Sequence, residues 1–544
     1  MYRFVFILFI ALLLSGSLFS QNHMDIMTTM TGEYNKAHFG WIMTTLDWNG
    51  DGHDDLIISE NSWKPEEYQS DPFIFPFGKL FVYYGGTNFD NVPEKTVEGR
   101  YQGEYGQTSS ICNAGDVNGD SIDDLAMFKA TPYENGSDQQ FNLKLCVFFG
   151  SADPDTVADY EIVFPRQIWS NEICYVRGLG DINHDGYDDI GYTMDPADSY
   201  SDYHWGIIYG GQSLHDTTYM DVGRRIDFSQ FCGLGDVNAD GIDDFCMGYA
   251  YTQNQVNYKR IVLYFGNTSG APYDSLVVFD GTGLTIPFAF PAGDVNGDGI
   301  SDFTACYTGS QYRLYFGSAD INPASYVTMY PSYHGDSAGW GFGYGDMNGD
   351  GCDDLLGTSV DWGSGSGSFV WWMGGTPMNG GYDLLYDAPT AAQWYMFGFC
   401  LTMGDYNADG YCDAAISAPF DPNGSLPWNG KVFIYAGNRQ LNDPTQTADE
   451  THTPNPEKIR LYPNPLSQCN SMLHVNFVKQ IGNLNSTFEI YNIKGQKVKS
   501  FMFTAEQKKA GSAVYDLHEL SSGVYICIMQ NGEHRWREKI TMIK

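Results

Sequence analysis

Seven short acidic segments carry the residues whose types and spacing point most directly to chemistry. They share the pattern D-x-N-x-D-G-x-D-D-apolar, with single departures in some of them, and the first runs from Asp47 to Leu56. The other six begin at Asp116, Asp181, Asp236, Asp294, Asp346 and Asp405. Side chains at positions 1, 3, 5 and 9, with the main-chain carbonyl of position 7, supply five or more oxygen ligands, the donors that calcium prefers. The pattern therefore predicts a calcium site in each segment, which we call an acidic loop.

Five positions of every acidic loop are predicted ligands, and position 7 contributes only its carbonyl oxygen. Loop by loop, these residues are Asp47, Asn49, Asp51, His53 and Asp55; Asp116, Asn118, Asp120, Ile122 and Asp124; Asp181, Asn183, Asp185, Tyr187 and Asp189; Asp236, Asn238, Asp240, Ile242 and Asp244; Asp294, Asn296, Asp298, Ile300 and Asp302; Asp346, Asn348, Asp350, Cys352 and Asp354; and Asp405, Asn407, Asp409, Tyr411 and Asp413. We expect calcium to be a structural cofactor here, with up to seven ions.

EF-hand loops and simple Asx turns are the two alternatives to such a calcium site. An EF-hand loop begins in the same way but ends in an acid at position 12, before a helix. Position 12 is never an acid here, and the residues after position 9 have a strand pattern. Asx turns without an ion would account for one such loop. Seven loops with three carboxylates each favour a cation, because crowded carboxylates repel one another.

Departures from the common pattern in the second and seventh acidic loops bear on calcium binding. The second has Ser121 where the others have glycine, a residue that permits the sharp turn around an ion. This leaves calcium binding by the second loop open. The seventh has Cys412 at position 8 and Ala414 after position 9. Since position 8 should point away from the ion, we expect the seventh loop to bind.

The spacing of the acidic loops predicts the fold. Successive loops start 69, 65, 55, 58, 52 and 59 residues apart, a period that four strands and their turns would fill, as in a blade of a β-propeller. An aromatic strand ending in glycine follows each loop, for example Lys79 to Gly85. We therefore predict an all-β protein with a seven-bladed propeller. The segment from Met24 to Tyr34 is expected to add a strand to the last blade, which ends near Gly437.

The composition and the net charge of the chain limit the kinds of molecule that it can bind. The formal net charge of −38 argues against binding to nucleic acid or to an anionic membrane surface. Of the 67 acidic residues, 26 belong to the acidic loops, 21 at positions 1, 5 and 9 and five at position 8. Seven calcium ions would bring +14, which leaves a net charge of −24. The eleven cysteines are an odd number without CxxC pairs, and their pairing stays open.

The N-terminus has the pattern of a secretory signal peptide. Arg3 precedes an apolar run from Phe4 to Leu14, and small polar residues follow to Ser20. A membrane anchor is the alternative, but the run is shorter than the roughly 20 apolar residues that a spanning helix needs. No later segment is apolar enough to span a bilayer. We expect a mature chain without a transmembrane segment.

The acidic loops and aromatic-glycine strands resemble FG-GAP repeats, found in integrin α-subunit propellers and many bacterial surface proteins. The resemblance covers roughly Asp25 to Gly437 and recurs in register. It implies calcium in the hairpin between the first two strands of each blade. It also implies that the ions stiffen one face while partners bind loops of the opposite face.

The last sixth of the chain differs in charge and pattern. From Asn455 onward, 12 basic residues stand against seven acidic ones, whereas the rest of the chain is strongly acidic. Short alternating strands predict a small β-sandwich. The segments Leu461 to Pro465, Phe488 to Gln496 and Asp516 to Tyr525 resemble the sorting domain of type IX secretion substrates from Bacteroidetes. That resemblance implies export by secretion machinery, to the medium or the outer-membrane surface; an accessory sandwich that stays attached is the alternative.

The expected domains are a signal peptide at 1–20, the propeller at 21–437, a linker at 438–456 and the sorting sandwich at 457–544. Two functions compete. The first is a non-enzymatic adhesion or ligand-binding module for an extracellular protein or glycan, with Trp63, Tyr133, Tyr251 and Trp428 as candidate contact residues. The second is a carbohydrate-active enzyme, a lyase or hydrolase. No HExxH metal-binding pattern or P-loop pattern is present, although His204 and His334 are candidate catalytic residues, so the first function is favoured.

Overall fold

The structure is a computed structural model. It describes residues 24–442 and 460–543, except 35, 70–73, 75, 101, 103, 105–109, 133–139, 170–173, 195–203, 220–225, 271–272, 283–287, 309–310, 331–337, 361–366, 376–377, 379, 390–395, 423–427, 463–465, 468–471, 477–486, 493, 495, 505–511 and 532–533. The signal-peptide prediction lies outside these residues. The chain divides into two compact units, Phe19–Thr445 and one containing Gln446–Lys544.

The first unit consists of seven antiparallel four-stranded sheets among the described residues. In chain order the first three are β2 Phe39–Leu46, β3 Asp55–Glu60, β4 Lys79–Tyr83 and β5 Lys95–Glu98; β6 Ile111–Gly115, β7 Asp124–Pro132, β8 Gln140–Phe148 and β9 Tyr160–Trp169; and β10 Cys174–Gly180, β11 Asp189–Met194, β12 His204–Tyr209 and β13 His215–Tyr219. Each is a meander in which neighbours in sequence are neighbours in the sheet.

The remaining four sheets repeat this order. They are β14 Ile226–Gly235, β15 Asp244–Gln253, β16 Val256–Phe265 and β17 Asp274–Gly281; β18 Ala289–Gly293, β19 Asp302–Thr308, β20 Gln311–Tyr315 and β21 Val327–Met329; β22 Ala338–Gly345, β23 Asp354–Val360, β24 Gly367–Trp372 and β25 Leu384–Asp387; and β26 Leu401–Gly404, β27 Asp413–Ala418 and β28 Lys431–Tyr435 with β1 Ile26–Thr31. We number these sheets as blades 1 to 7.

The blades close into a ring. Strands β2, β6, β10, β14, β18, β22 and β26 contact one another in that order, and β26 contacts β2. The N-terminal strand β1 pairs antiparallel with β28 and supplies the outer strand of blade 7, with Thr29 opposite Phe433. The predicted role of the segment from Met24 to Tyr34 is thereby confirmed, as are the all-β class and the propeller architecture.

Hydrophobic residues fill the spaces between blades. In one cluster Trp48, Ile57 and Val82 of blade 1 are packed with Met127 and Phe148 of blade 2. A single sheet cannot bury both of its faces, so the repeats depend on one another for a core. Beyond blade 7, a short 3-10 helix spans Arg439–Asn442, and Leu441 is fully buried among core residues of blades 6 and 7. The first residues of the predicted linker therefore belong to the propeller unit, and residues 443–456 lie outside the described part.

The second unit contains two sheets. One has the order β29-β31-β34 and the other β30-β36-β35-β32-β33. Their strands are β29 Arg460–Tyr462, β30 Leu466–Ser467, β31 Met472–Asn476, β32 Thr487–Asn492, β33 Lys497–Met502, β34 Ser512–Asp516, β35 Gly523–Asn531 and β36 His534–Ile543. Leu473 and Tyr515 of the smaller sheet share one core with Phe488, Ile490 and Cys527 of the larger sheet. This arrangement is the predicted small β-sandwich.

Candidate functional site

Each acidic loop joins the first and second strands of its blade, so all seven loops lie at one end of the propeller. In the first loop, Asp47 accepts hydrogen bonds from the backbone N–H groups of Asp51 (3.0 Å) and Gly52 (2.8 Å). The Asn49 side chain accepts from Asp51 N–H at 2.8 Å, and Asp51 accepts from His53 N–H at 3.0 Å. The other six loops repeat the same four bonds. These bonds hold the side chains at positions 1, 3 and 5 in one compact turn.

The aspartate at position 9 is buried beneath each loop. In blade 3, one Asp189 oxygen accepts from Ile182 N–H at 3.2 Å and the other from Gly210 N–H at 2.8 Å. All seven position-9 carboxylates accept from the N–H of the glycine that follows the third strand of their own blade, at 2.8 to 2.9 Å. A Cβ atom on Gly210 would lie 2.4 Å from the Asp188 carbonyl oxygen. This close approach explains the repeated aromatic-glycine signature.

Burial strongly disfavours the charged form of these carboxylates. It raises the pKa of Asp189 to about 8, and the nearby Asp185 and Asp181 add to the shift. Burial likewise raises the pKa of Asp124, Asp354 and Asp413 to about 8. It raises the pKa of Asp55, Asp244 and Asp302 to about 7. A divalent cation beside these groups would offset this cost of ionisation.

The donor set of each loop fits calcium. It comprises three carboxylates, one amide oxygen and one backbone carbonyl, which are hard oxygen donors. Within the described residues, no three His, Cys, Asp or Glu side chains are grouped tightly enough to hold a metal by themselves. An ion would therefore also need the Asn and carbonyl oxygens. In the seventh loop, the Asp413 Oδ2 atom is buried without a hydrogen-bond partner of normal geometry. Protein groups therefore do not fully satisfy this carboxylate oxygen, which is one of the predicted calcium ligands.

The second loop adopts the same conformation as the others despite Ser121. Ser121 has a φ of 70°, in the left-handed region where Gly52 and Gly186 of the first and third loops also lie. Its N–H still donates to Asp116, at 2.7 Å. Ser121 therefore adopts the same left-handed backbone conformation as the glycines. The geometry of the second loop does not differ from that of the other six.

Position 8 has a role that the sequence did not reveal. Asp188 of blade 3 accepts a hydrogen bond from Asp116 N–H of blade 2 at 2.8 Å. Equivalent bonds join Asp123 to blade 1, Asp243 to blade 3, Asp353 to blade 5 and Asp54 to blade 7. Each of these carboxylates thus links its own blade to the first residue of the acidic loop in the preceding blade. We call these bonds the seam clamps.

Two seams lack a carboxylate at this position. Ser301 occupies position 8 at the seam of blades 4 and 5, and Cys412 occupies it at the seam of blades 6 and 7. Their backbone N–H groups donate to the carbonyls of Asp236 (3.2 Å) and Asp346 (3.0 Å). A main-chain bond therefore remains at both seams. The only sequence signal for the clamp is the first aspartate of the D-D pair, at position 8, which has no assigned ligand role.

The candidate contact residues of the opposite end have different surroundings. Trp63 and Tyr251 are buried, with 4% and 2% of their surfaces exposed, so they are packing residues. Trp428 is 46% exposed and remains a surface candidate. Tyr133 and His334 lie outside the described residues, and the His204 side chain is likewise not described although its backbone belongs to β12.

Trp428 belongs to an aromatic patch, made of His38, Trp41, Phe399, Phe420 and Trp428, where blades 1 and 7 meet. The ring centroids of His38 and Phe420 are 4.7 Å apart, and those of Trp41 and Phe399 are 4.6 Å apart. His38 stacks with Trp428 at 6.4 Å. The patch residues adjoin the strand ends remote from the acidic loops. Sequence reasoning found only Trp428, because the five residues are far apart in the chain.

The backbone around the aromatic patch is strained. Lys36, His38 and Trp428 have φ values of 60°, 57° and 59°, which residues with a side chain seldom adopt. The Lys36 ammonium lies 5.6 Å from the centroid of the Trp428 ring, a cation–π arrangement. Left-handed non-glycine residues of this kind are concentrated at binding sites and active sites.

His38 is neutral and offers an acceptor nitrogen. Burial, with a smaller contribution from Lys36, lowers its pKa to about 4. Its Nδ1 lies 2.9 Å from Ser62 Oγ, and the Ser62 hydroxyl donates to Asn61 Oδ1 at 3.1 Å. Ser62 must then accept from Nδ1–H, which leaves a lone pair on Nε2. Nε2 is buried without a hydrogen-bond partner.

Comparison with known proteins identifies the C-terminal unit. Residues 460–544 match the family model of the secretion system C-terminal sorting domain. The chain carries a type IX sorting domain. This sorting domain indicates export to the cell surface or the extracellular space. No helix in the described part of the chain is long and apolar enough to cross a membrane.

Further matches are to propeller-containing proteins. The chain is similar to mouse phosphatidylinositol-glycan-specific phospholipase D, with 28% identity over 151 residues, and to mouse integrin alpha-8, with 24% over 181 residues. Those segments are 26% and 32% of this chain and 16% of each relative, so most of either relative has no counterpart in the match. A neuraminidase-like protein from a bat influenza virus aligns over 77% of this chain and 92% of its own, at 9% identity and a TM-score of 0.36.

Proposed function

We propose that the exported protein is a calcium-stabilised propeller that binds an extracellular ligand without catalysis. The observation that carries the binding role is the aromatic patch. It combines an exposed Trp428 ring, the strained backbone of Lys36, His38 and Trp428, and the Lys36 ammonium beside the Trp428 ring. Exposed tryptophan with polar neighbours is typical of recognition surfaces.

Calcium has a supporting role in this proposal. The residues at positions 1, 3, 5 and 9 of each acidic loop would hold the ion, together with the carbonyl of position 7. The ion would supply positive charge beside carboxylates that burial otherwise forces towards the neutral form. Five loops are tied to the neighbouring blade through the seam clamps and the other two through a main-chain bond, so stiffening the loops would stiffen the ring. The ligand-binding end would then be presented on a rigid support.

The proposed ligand is a glycan. An aromatic face can lie against the apolar face of a sugar ring, while Lys36 can donate to sugar hydroxyls. The strongly acidic net charge of −38 makes an uncharged or basic glycan more favourable than an acidic one.

An oligosaccharide array probed with the labelled full-length chain, in calcium, tests this proposal. We expect saturable binding that Trp428→Ala weakens at least ~10-fold, the loss typical of an anchoring tryptophan. The matched control is Tyr330→Ala, because Tyr330 is 49% exposed but belongs to blade 5. An equal loss of binding in both variants would reject the aromatic patch as the glycan-binding site. Conversion of an array sugar into product would reject the proposal that the protein is not a catalyst. A peptide array in parallel would reveal a protein ligand, which would contradict the glycan assignment.

A further inference from the structure

Two cysteines face each other across the innermost hairpin of blade 4. Cys232 of β14 and Cys246 of β15 are directly opposed in the antiparallel register, between the pairs Phe231–Met247 and Gly233–Phe245. Side chains of opposed residues project from the same face of a sheet. No other register pair in the described strands joins two cysteines.

The two side chains also interact electrostatically. A side-chain hydrogen bond with Cys232, followed by burial, raises the pKa of the Cys246 thiol well above its ordinary value. The Cys232 thiol itself donates to the Gly233 carbonyl oxygen at 3.4 Å. Both residues are buried, with 8% and 2% of their surfaces exposed. Opposed residues of an antiparallel pair have Cα atoms about 4.5 to 5.5 Å apart, which is within the range that a disulfide bridges.

The compartment favours oxidation. The sorting domain directs the chain out of the cell, and disulfides form and persist in extracytoplasmic compartments. We propose that Cys232 and Cys246 form a disulfide in the exported protein. The other described cysteines have no cysteine opposite them, so this pair is the one bridge that the strand register favours.

The chemistry is thiol–disulfide exchange with a small organic or protein disulfide as oxidant. One thiolate attacks the oxidant and releases one of its sulfurs as a thiol. The second thiolate then attacks the mixed disulfide, which closes the Cys232–Cys246 bond and releases the second thiol. Two protons and two electrons thus pass from the pair to the oxidant. Because burial suppresses the thiolate, exchange should occur before blade 4 is closed, and burial afterwards shields the bond from reductants.

The bond would have a consequence for the fourth acidic loop. The ring that it closes runs from Cys232 to Cys246 and contains Asp236 to Asp244, the whole of that loop. A crosslink around so short a segment reduces the freedom of the unfolded chain most directly in that segment. The disulfide would therefore preorganise this loop at the seam of blades 4 and 5, where Ser301 replaces the carboxylate of the seam clamp.

Peptide mapping of the full-length protein, recovered after export from a secreting host, tests the proposal. The protein is denatured and alkylated with iodoacetamide, then reduced and alkylated with N-ethylmaleimide. Trypsin places both cysteines in one peptide, which follows Arg225 and ends at Lys259. We expect two maleimide groups on that peptide after reduction. If the reduction step is omitted, the peptide should have a mass two hydrogens lower than the same peptide with two free thiols. Additional cleavage before Asp236 should yield two peptides joined only through the disulfide.

Cys112 and Cys146 provide internal controls, because both are buried and lie opposite Ala126 and Met127 in the strand register. They should carry iodoacetamide groups, which shows that the denaturant exposes buried thiols. Iodoacetamide on both Cys232 and Cys246 would overturn the proposal, and so would a disulfide from either residue to a different cysteine. This readout does not depend on calcium or on a glycan, so its failure is distinct from failure of the proposed function.

Thermal unfolding provides a second measurement. Reductant should lower the unfolding temperature of the wild type but leave the Cys232→Ser/Cys246→Ser double variant unchanged. Equal sensitivity of both proteins to reductant would contradict a stabilising bond at this position. The single variant Cys232→Ser should expose one additional alkylatable thiol, at Cys246, and no other new thiol.

Discussion

Removal of calcium is the perturbation that tests the acidic loops most directly. We expect chelation by EGTA to lower the unfolding temperature of the full-length protein substantially. A ligand that binds only the folded state stabilises it by RT ln(1 + [L]/Kd). With about 2 mM free calcium and dissociation constants of about 0.1 to 1 mM, typical of extracellular modules, each site contributes about 0.6 to 1.8 kcal/mol.

Seven equivalent loops multiply this contribution. Together they would add about 5 to 13 kcal/mol to the free energy of unfolding. An unfolding entropy of about 2.1 cal/mol/K per residue, over roughly 400 residues of propeller, is about 0.84 kcal/mol/K. The unfolding temperature should therefore fall by about 6 to 15 °C on chelation.

The assay is differential scanning calorimetry with calcium and with EGTA, combined with equilibrium dialysis against radioactive calcium to count bound ions. Asp181→Asn should remove one ion and about one seventh of the calcium-dependent shift. Asp320→Ala, on the exposed surface of blade 5, is the control and should change neither quantity. An unfolding temperature that is unaffected by EGTA, with no calcium retained in dialysis, would refute the reasoning.

Three further predictions concern residues outside the ligand set. Asp188→Ala leaves the Asp116 N–H at the seam of blades 2 and 3 without its acceptor, and chemical denaturation should show a loss of about 1 to 3 kcal/mol; a variant as stable as Asp320→Ala would contradict the seam clamp. Gly266→Ala places a Cβ atom 2.2 Å from the Asp243 carbonyl oxygen, whereas in Gly281→Ala the nearest contact is a side-chain atom at 3.2 Å. Gly266→Ala should therefore destabilise the folded protein far more than Gly281→Ala. Similar urea midpoints for the two variants would argue against this close approach. Burial raises the pKa of Glu60 to about 8, with partial opposition from Lys79. The folded state therefore retains a proton that the unfolded chain releases, so stability should fall as the pH rises from about 5 to about 9. With calcium saturating, Glu60→Gln should gain up to a few kcal/mol relative to the wild type over that pH range; parallel pH profiles would show that Glu60 ionises normally.

Local spacing determined much of the fold in advance. The D-x-N-x-D-G-x-D-D pattern recurs in register, and each occurrence is a turn whose bonds join residues no more than five positions apart. Such short-range geometry is encoded by residue types at fixed offsets, which is why blades, loops and the closing strand before Tyr34 could be inferred. The sorting domain could also be predicted from the sequence, because several of its segments resemble one family.

Contacts between blades could not be predicted from the repeated acidic pattern alone. Asp188 and Asp116 are 72 residues apart, and only closure of the ring brings the carboxylate of one to the N–H of the other. The same reason explains the aromatic residues, because Trp63 and Trp428 look alike in sequence yet one is buried and the other exposed. Burial depends on which residues of other blades cover a side chain.

The amino-acid sequence by itself thus determined the repeat, the oxygen-rich loops and the type IX sorting domain, because each depends on residues close together in the chain. The tertiary structure decided the seam clamps, the aromatic patch at the meeting of blades 1 and 7, and the opposition of Cys232 and Cys246. These features depend on strand register and ring closure, which place distant residues in contact through the packing of whole sheets.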